Sequence, residues 1–292
     1  MAIKMQDTAP VTPPALLIHP TRGLASLNLR DLWVYRELVF FMTWRDLKVR
    51  YKQTLLGAAW AILQPVMLMI VFTLLFQRVA GLTSEGKPYP LFSFAALLPW
   101  NMFAHALNTA GQSLVANRNM LTKIYFPRMI LPLASVLASV VDFLIAFSVL
   151  VAMMVYYHLQ PTSGFHISIT PALLTLPLLV LLSLITALGV SLWLSALNVL
   201  YRDVGYLIPF LTQLWFFITP VVYSGDVVSG HWRLIYALNP MVGVVNGFRW
   251  ALLGTQTTPG PMMVVSVFVA LLILVSGSFY FRRMERVFAD EI

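Results

Sequence analysis

Residues able to do chemistry are few and scattered in this sequence. The histidines, His19, His105, His158, His166 and His231, share no metal-ligand spacing, and there is no cysteine. Disulfide and thiolate chemistry are therefore excluded. No Ser-His-Asp arrangement stands out by spacing, so no catalytic residue and no metal site are assigned. Gly81 to Lys87 fits G-x-x-x-x-G-K, the start of a phosphate-binding loop. It is rejected because Pro88 stands where Ser or Thr should hold magnesium, no buried strand precedes it and no helix N-terminus is expected to follow. One carboxylate, Asp142, falls well inside an apolar stretch. It lies about 14 residues past Arg128, which at 1.5 Å per residue is near mid-membrane. An intramembrane carboxylate is a functional hypothesis by default; the competing reading is a protonated or helix-paired Asp that fixes packing.

Such sparse chemistry fits the composition. Of 292 residues, 59% are hydrophobic and only 10% charged, with a mean hydropathy of +0.81. A soluble domain carries about 25% charge, so this is an integral membrane protein. A net charge of +8 would point to nucleic acid in a soluble chain, but here it is explained by where the charges fall.

The segment from Trp44 to Pro65 sets the orientation. Arg45, Asp46, Lys48, Arg50 and Lys52 are followed at once by an uncharged run from Gln53 to Gln77. A basic collar before ~20 apolar residues marks the cytoplasmic start of a span. Upstream, residues 1–28 read as a flexible cytoplasmic tail, and 29–52 as an amphipathic helix lying in the interface. Leu32, Tyr35, Val39, Leu47 and Tyr51 fall towards one side of it and Arg30, Glu37, Arg45, Lys48 and Lys52 towards the other, with Trp33 and Trp44 at headgroup depth. Arg36 and Arg50 break the pattern.

Residues 53–281 form the membrane domain, with expected spans near 55–79, 91–115, 129–157, 172–197, 205–223 and 261–281. Trp232 to Leu253 does not read as a span: Asn239 and Pro240 break it into halves too short to cross. Two short helices dipping into the outer leaflet fit if buried in protein. The fold expected is thus all-α, with six transmembrane helices, an N-terminal interface helix and two re-entrant helices before the last span. Residues 282–292 make a cytoplasmic tail. Six spans leave only Arg78, Lys87, Arg233 and Arg249 of the 19 Lys and Arg residues outside, and place both termini in the cytoplasm.

A conduit without an energy source needs a motor on its inward surfaces: the interface helix, the loop from Asn117 to Arg128, and Tyr201 to Asp203. A secondary transporter would show paired intramembrane charges, and Asp142 stands alone. Five segments carry a resemblance: RYKQTLLGAAWAILQP at 50–65, PYPLFSFAALLPWNMF at 88–103, NRNMLTKIYFPRMILPL at 117–133, ALNVLYRDVGYLIPFLTQLWFFITPVVY at 196–223 and ALNPMVGVVNGFRWALLG at 237–254. In this order they resemble the permease subunit of bacterial ABC exporters for cell-surface polysaccharide, the O-antigen and capsule (Wzm-like) class.

The resemblance implies a homodimer in the bacterial inner membrane with two copies of an ABC ATPase beneath it. ATP and magnesium would bind in that partner, so this chain itself needs no cofactor. The substrate implied is a lipid-linked polysaccharide, moving through a channel built partly from the first and fifth spans. A helix from about Asn117 to Phe126 would enter the ATPase cleft through Arg118, Asn119, Lys123 and Tyr125. Trp60, Trp215, Phe216 and Tyr223 are candidates to line the channel, since aromatic faces hold pyranose CH surfaces weakly and repeatedly. Such aromatics also serve as lipid-facing anchors. Arg45, Arg50 and Lys52 are candidates for the lipid phosphate, against plain positive-inside topology. An ABC permease for a small drug or lipid, and a membrane enzyme acting on lipid-linked sugars, are the alternatives.

Overall fold

In a bilayer every backbone N–H and C=O needs an internal partner, and helices supply one. The computed structural model describes residues 29–52, 57, 59–81, 84–168, 170–225, 232–255, 260–285 and 288, and among them there are helices and no strands. The expected tail at 1–28 lies outside the described residues, as does most of 286–292.

The helices are α1 (Leu29–Val34), α2 (Arg36–Lys52), α3 (Ala59–Phe72), α4 (Tyr89–Ala116), α5 (Arg118–Leu121), α6 (Ile130–Leu159), α7 (Leu176–Leu200), α8 (Val204–Ile218), α9 (Trp232–Ala237), α10 (Pro240–Leu253) and α11 (Pro261–Met284). α3 continues as a π-helical stretch, Thr73–Val79. Four helical stretches among the described residues are long and apolar enough to cross a membrane: Ala59–Val79, Ile130–Leu159, Pro171–Leu200 and Pro261–Met284. α4 is long but carries a polar row, Asn101, His105, Asn108 and Gln112, which lowers its hydropathy. α8 is apolar but has only 15 residues, because Pro220 follows closely.

α4 is the hub. Leu91 to Trp100 are all buried, and the helix packs on α6, α7, α10, α3 and α8. At one end of the bundle Leu114, Phe126, Ile130, Ala196 and Phe281 form a second core with Val39 of α2. That core gathers the end of α4, the start of α6 and the ends of α7 and α11. At the far end the Tyr89 hydroxyl donates to the Val222 carbonyl at 2.8 Å, joining the start of α4 to the turn after α8. α4 and α8 therefore connect the same two ends as α6, α7 and α11, while α3 begins beside Asp142, part-way along α6.

α7 and α11 touch backbone to backbone. A Cβ on Gly277 would sit 2.3 Å from the Gly189 carbonyl oxygen, and one on Gly189 would sit 2.7 Å from Leu274 N. Small residues allow this approach, which replaces the hydrophobic drive that lipid removes. Trp193 stacks on Tyr280 at 4.1 Å beside it.

Three expectations change. The interface helix is divided at Tyr35 into α1 and α2. The second part runs along α6, with contacts advancing on both: Thr43 Oγ1 to Ala134 O at 3.4 Å, Ser135 Oγ to Asp46 Oδ2 at 3.2 Å, then Arg50 and Tyr51 to Asp142. Thr43, Asp46, Arg50 and Tyr51 face α6 because partners there satisfy them, so the stretch from Thr43 to Tyr51 packs along α6. Finally, a helix does begin just after Gly81–Lys87, at Tyr89, where Pro88 and Pro90 suit a first turn that needs no N–H donors. The rejection of a phosphate loop there rests on Pro88 in place of Ser or Thr.

Candidate functional site

Asp142 is not alone. Its carboxylate accepts from Arg50 Nη1 and from the Tyr51 hydroxyl, and His105 Nε2 lies 3.8 Å away. The expectation of an isolated charge fails because Arg50 arrives from α2, far away in sequence. Asp142 sits about 18 Å along α6 from Ile130, so the pair is held inside the bundle.

This network forms one wall of a cavity of about 370 Å³ between α2, α3, α4 and α6. Trp60 and Gln64 of α3, Asn101 and Asn108 of α4 and Phe143 of α6 complete it. The lipid-phosphate candidates do not converge. Arg45 pairs with Asp46 at 2.9 Å and reaches Met120 Sδ, Arg50 is held by Asp142, and Lys52 is exposed.

The channel candidates are divided too. Trp60 is half-exposed on the open face of α3. Trp215 and Phe216 turn into the helix bundle: Trp215 meets Phe103 at 5.1 Å and donates to Asn239 Oδ1 at 2.9 Å, while Phe216 meets Trp100 and Phe72. Tyr223 accepts from the Tyr236 hydroxyl at 3.0 Å. The exposed aromatics of α8 are Tyr206, Phe210 and Phe217. Tyr206, Phe210, Trp215, Phe216 and Phe217 all lie on α8, and its packing against α4 decides which of these rings face outward.

At the end that holds Leu114 and Phe281, the loop after α4 projects. Arg118, Asn119, Lys123 and Tyr125 are all exposed, Tyr125 at 94%. The loop is anchored by Asn117 Nδ2 to Ser113 O at 2.8 Å and by buried Phe126 and Met129. The expected helix from 117 to 126 is only Arg118–Leu121. Pro127 disfavours helix at Phe126, and the chain extends before it.

The sequence reading missed Arg249, which it placed with the outside charges. It is 1% exposed. Its Nε donates to Phe92 O at 3.1 Å, Nη1 to Pro220 O at 2.7 Å and Tyr223 O at 2.9 Å, and Nη2 to Val221 O at 2.7 Å. The guanidinium lies 3.5 Å from the Phe92 ring centroid. Asn239 caps α10 through Met241 N at 3.0 Å and also binds Trp215 and Thr219. Together they tie α10, the turn after α8 and the start of α4 into one knot. A signal was present: Arg249 is the only charged residue between Arg233 and Arg282. The break at Asn239–Pro240 falls where expected, and α10 is almost wholly buried in protein.

Among the described residues no group of three His, Asp or Glu side chains could hold a metal ion. The sequence matches the ABC-2 type transporter family over residues 37–253. It is 30% identical over 268 residues to the O-antigen export system permease protein RfbA of Myxococcus xanthus, covering 90% of this chain and 98% of that one. The protein of the same name from Klebsiella pneumoniae is 27% identical over 254 residues, covering 87% and 94%. The polysialic acid transport protein KpsM of Escherichia coli is 23% identical over 245 residues, covering 82% and 91%.

Proposed function

The chain belongs to the ABC-2 type transporter family, and from that premise we propose that it is the membrane-spanning permease of an ATP-driven exporter of cell-surface polysaccharide, O-antigen or capsule. The observation that carries this reading is the reach of the likeness, which takes in 98% of the Myxococcus O-antigen export permease. The permease itself does no chemistry; ATP and magnesium belong to a separate ATPase subunit.

The finer reading follows from the fold. α4 and α8 run between the same two ends as α6, α7 and α11, and Ala59–Val79 is itself long and apolar enough to cross, which supports six spans. The end with the basic loop and Arg282 is then cytoplasmic, and α9 and α10 lie in the outer leaflet. The loop with Arg118, Asn119, Lys123 and Tyr125 docks on the ATPase. A bare tyrosine beside two cations at the inner surface suits a protein partner. The open apolar faces of α3 and α8, with Trp60, Met67, Phe210 and Phe217, suit a second copy of the chain and a conduit between the two. A lipid-linked glycan would move there, its phosphate held at the basic inner surface.

The test is co-purification from native membranes, followed by ATPase assay with and without lipid-linked glycan. A stable complex with an ATPase, stimulated by glycan, is expected. A chain that purifies without an ATPase and acts alone on labelled lipid-linked sugar would refute the reading and favour an enzyme.

A further inference from the structure

One face of the cavity beside Trp60 carries polar atoms without a hydrogen-bond partner among the described residues. Asn101, His105 and Asn108 follow one another at i, i+4 and i+7 on α4, so they share a face over about 10 Å. Asn101 Nδ2, His105 Nε2 and Asn108 Oδ1 are each buried and find no hydrogen-bond partner among the described residues, His105 Nε2 standing 3.8 Å from the Asp142 carboxylate. A buried polar atom left unsatisfied forfeits its hydration without a replacement. Three on one face of a helix, lining a cavity of about 370 Å³, mark a place that is filled by something polar.

Charge decides what kind of ligand. An anion would meet the Asp142 carboxylate, and Arg50, the cation beside it, is already committed to that carboxylate. A cation gains little, because Arg50 already neutralises Asp142. The remaining polar wall is amide, imidazole and phenol: Gln64, Asn101, Asn108, His105 and Tyr51. These groups both donate and accept, as sugar hydroxyls do. Trp60 stands at the rim with an exposed ring, and Pro65 and Phe143 add apolar wall. The volume lies in the range of small-molecule sites.

We propose that this cavity is a subsite for one uncharged pyranose unit of the exported glycan, bound through its hydroxyls by Asn101, His105 and Asn108 and stacked on Trp60. The proposal rests on the polysaccharide-export reading. The Arg50–Asp142 pair holds α2 against α6 and so keeps the cavity wall in place. Lipid phosphate is excluded from this cavity and left to the basic inner surface.

Because the chain has no cysteine, Asn101→Cys and Asn108→Cys each place one thiol in the permease. In the permease–ATPase complex each is labelled with a small polar methanethiosulfonate reagent. Leu144→Cys, on the exposed face of α6, is the control. The probes are the host's own lipid-linked glycan and a polyprenyl phosphate without sugar. With glycan at about ten times its dissociation constant, labelling at 101 or 108 should slow about tenfold and labelling at 144 should not change. Polyprenyl phosphate should give no protection. Unchanged labelling while glycan still stimulates the ATPase would overturn the subsite alone. Equal protection by polyprenyl phosphate would make the cavity a phosphate site and overturn the sugar assignment, and equal slowing at 144 would show a non-specific effect and overturn it as well. No protection and no stimulation would overturn both this proposal and the export reading.

Discussion

Replacing Arg249 with Met should unfasten the far end of the bundle. The guanidinium is the donor for the carbonyls of Pro220, Val221 and Tyr223, which belong to a turn, and for Phe92 O, which lies in a helix. Methionine fills the volume and leaves the three turn carbonyls without that donor. At about 1–3 kcal/mol each the loss could reach roughly 9 kcal/mol. Removing a fully buried charge returns part of this, since its desolvation is no longer needed. The net cost should be about 3 kcal/mol, which corresponds to a fall in melting temperature of roughly 6–12 °C. Arg249→Lys keeps the charge and loses the planar fork, so it should fall between wild type and Met. The assay is a thermal challenge of the purified protein in detergent, followed by recovery of the monodisperse peak on size exclusion. An Arg249→Met protein melting within about 2 °C of wild type would refute the idea that this guanidinium holds the turn after α8.

Other expectations are as direct. Gly277→Val puts a branched side chain where a Cβ alone would sit 2.3 Å from the Gly189 carbonyl, so it should abolish the monodisperse protein. A well-folded variant would show that α7 and α11 can move apart at little cost. In a double-mutant cycle, Arg50→Met with Asp142→Leu should be less destabilising than the sum of the singles, by about 1 kcal/mol or more; strict additivity would remove the ion pair from the account. Tyr125→Ala with Lys123→Glu should leave melting temperature unchanged, since both side chains are exposed, and weaken capture of the ATPase at least several-fold. Undiminished capture would move the docking surface elsewhere.

Much of this fold was legible because apolar runs and basic collars are properties of composition. The break at Asn239–Pro240 could be read because proline cannot continue a helix. What stayed hidden depends on pairing across the chain. Nothing near Asp142 in sequence announces Arg50 or Tyr51, which lie some 90 positions away. Trp215 and Phe217 look alike in sequence, yet one packs on Phe103 and the other is exposed, because α8 sets only one of its faces on α4. Arg249 violated the rule that charges avoid apolar segments, and such violations mark places where the backbone itself needs a partner. The row Asn101, His105 and Asn108 was visible as spacing, but only the packing of α2, α3 and α6 around it encloses a cavity.

The measurement closest to the central claim is transport. Inside-out vesicles carrying the permease–ATPase complex are supplied with labelled lipid-linked glycan on their outer face, which corresponds to the cytoplasm. The account predicts ATP-dependent movement of the glycan into the lumen, where added glycosidase no longer reaches it. Glycan that stays accessible to the enzyme with ATP present, in vesicles whose ATPase is active, would contradict it.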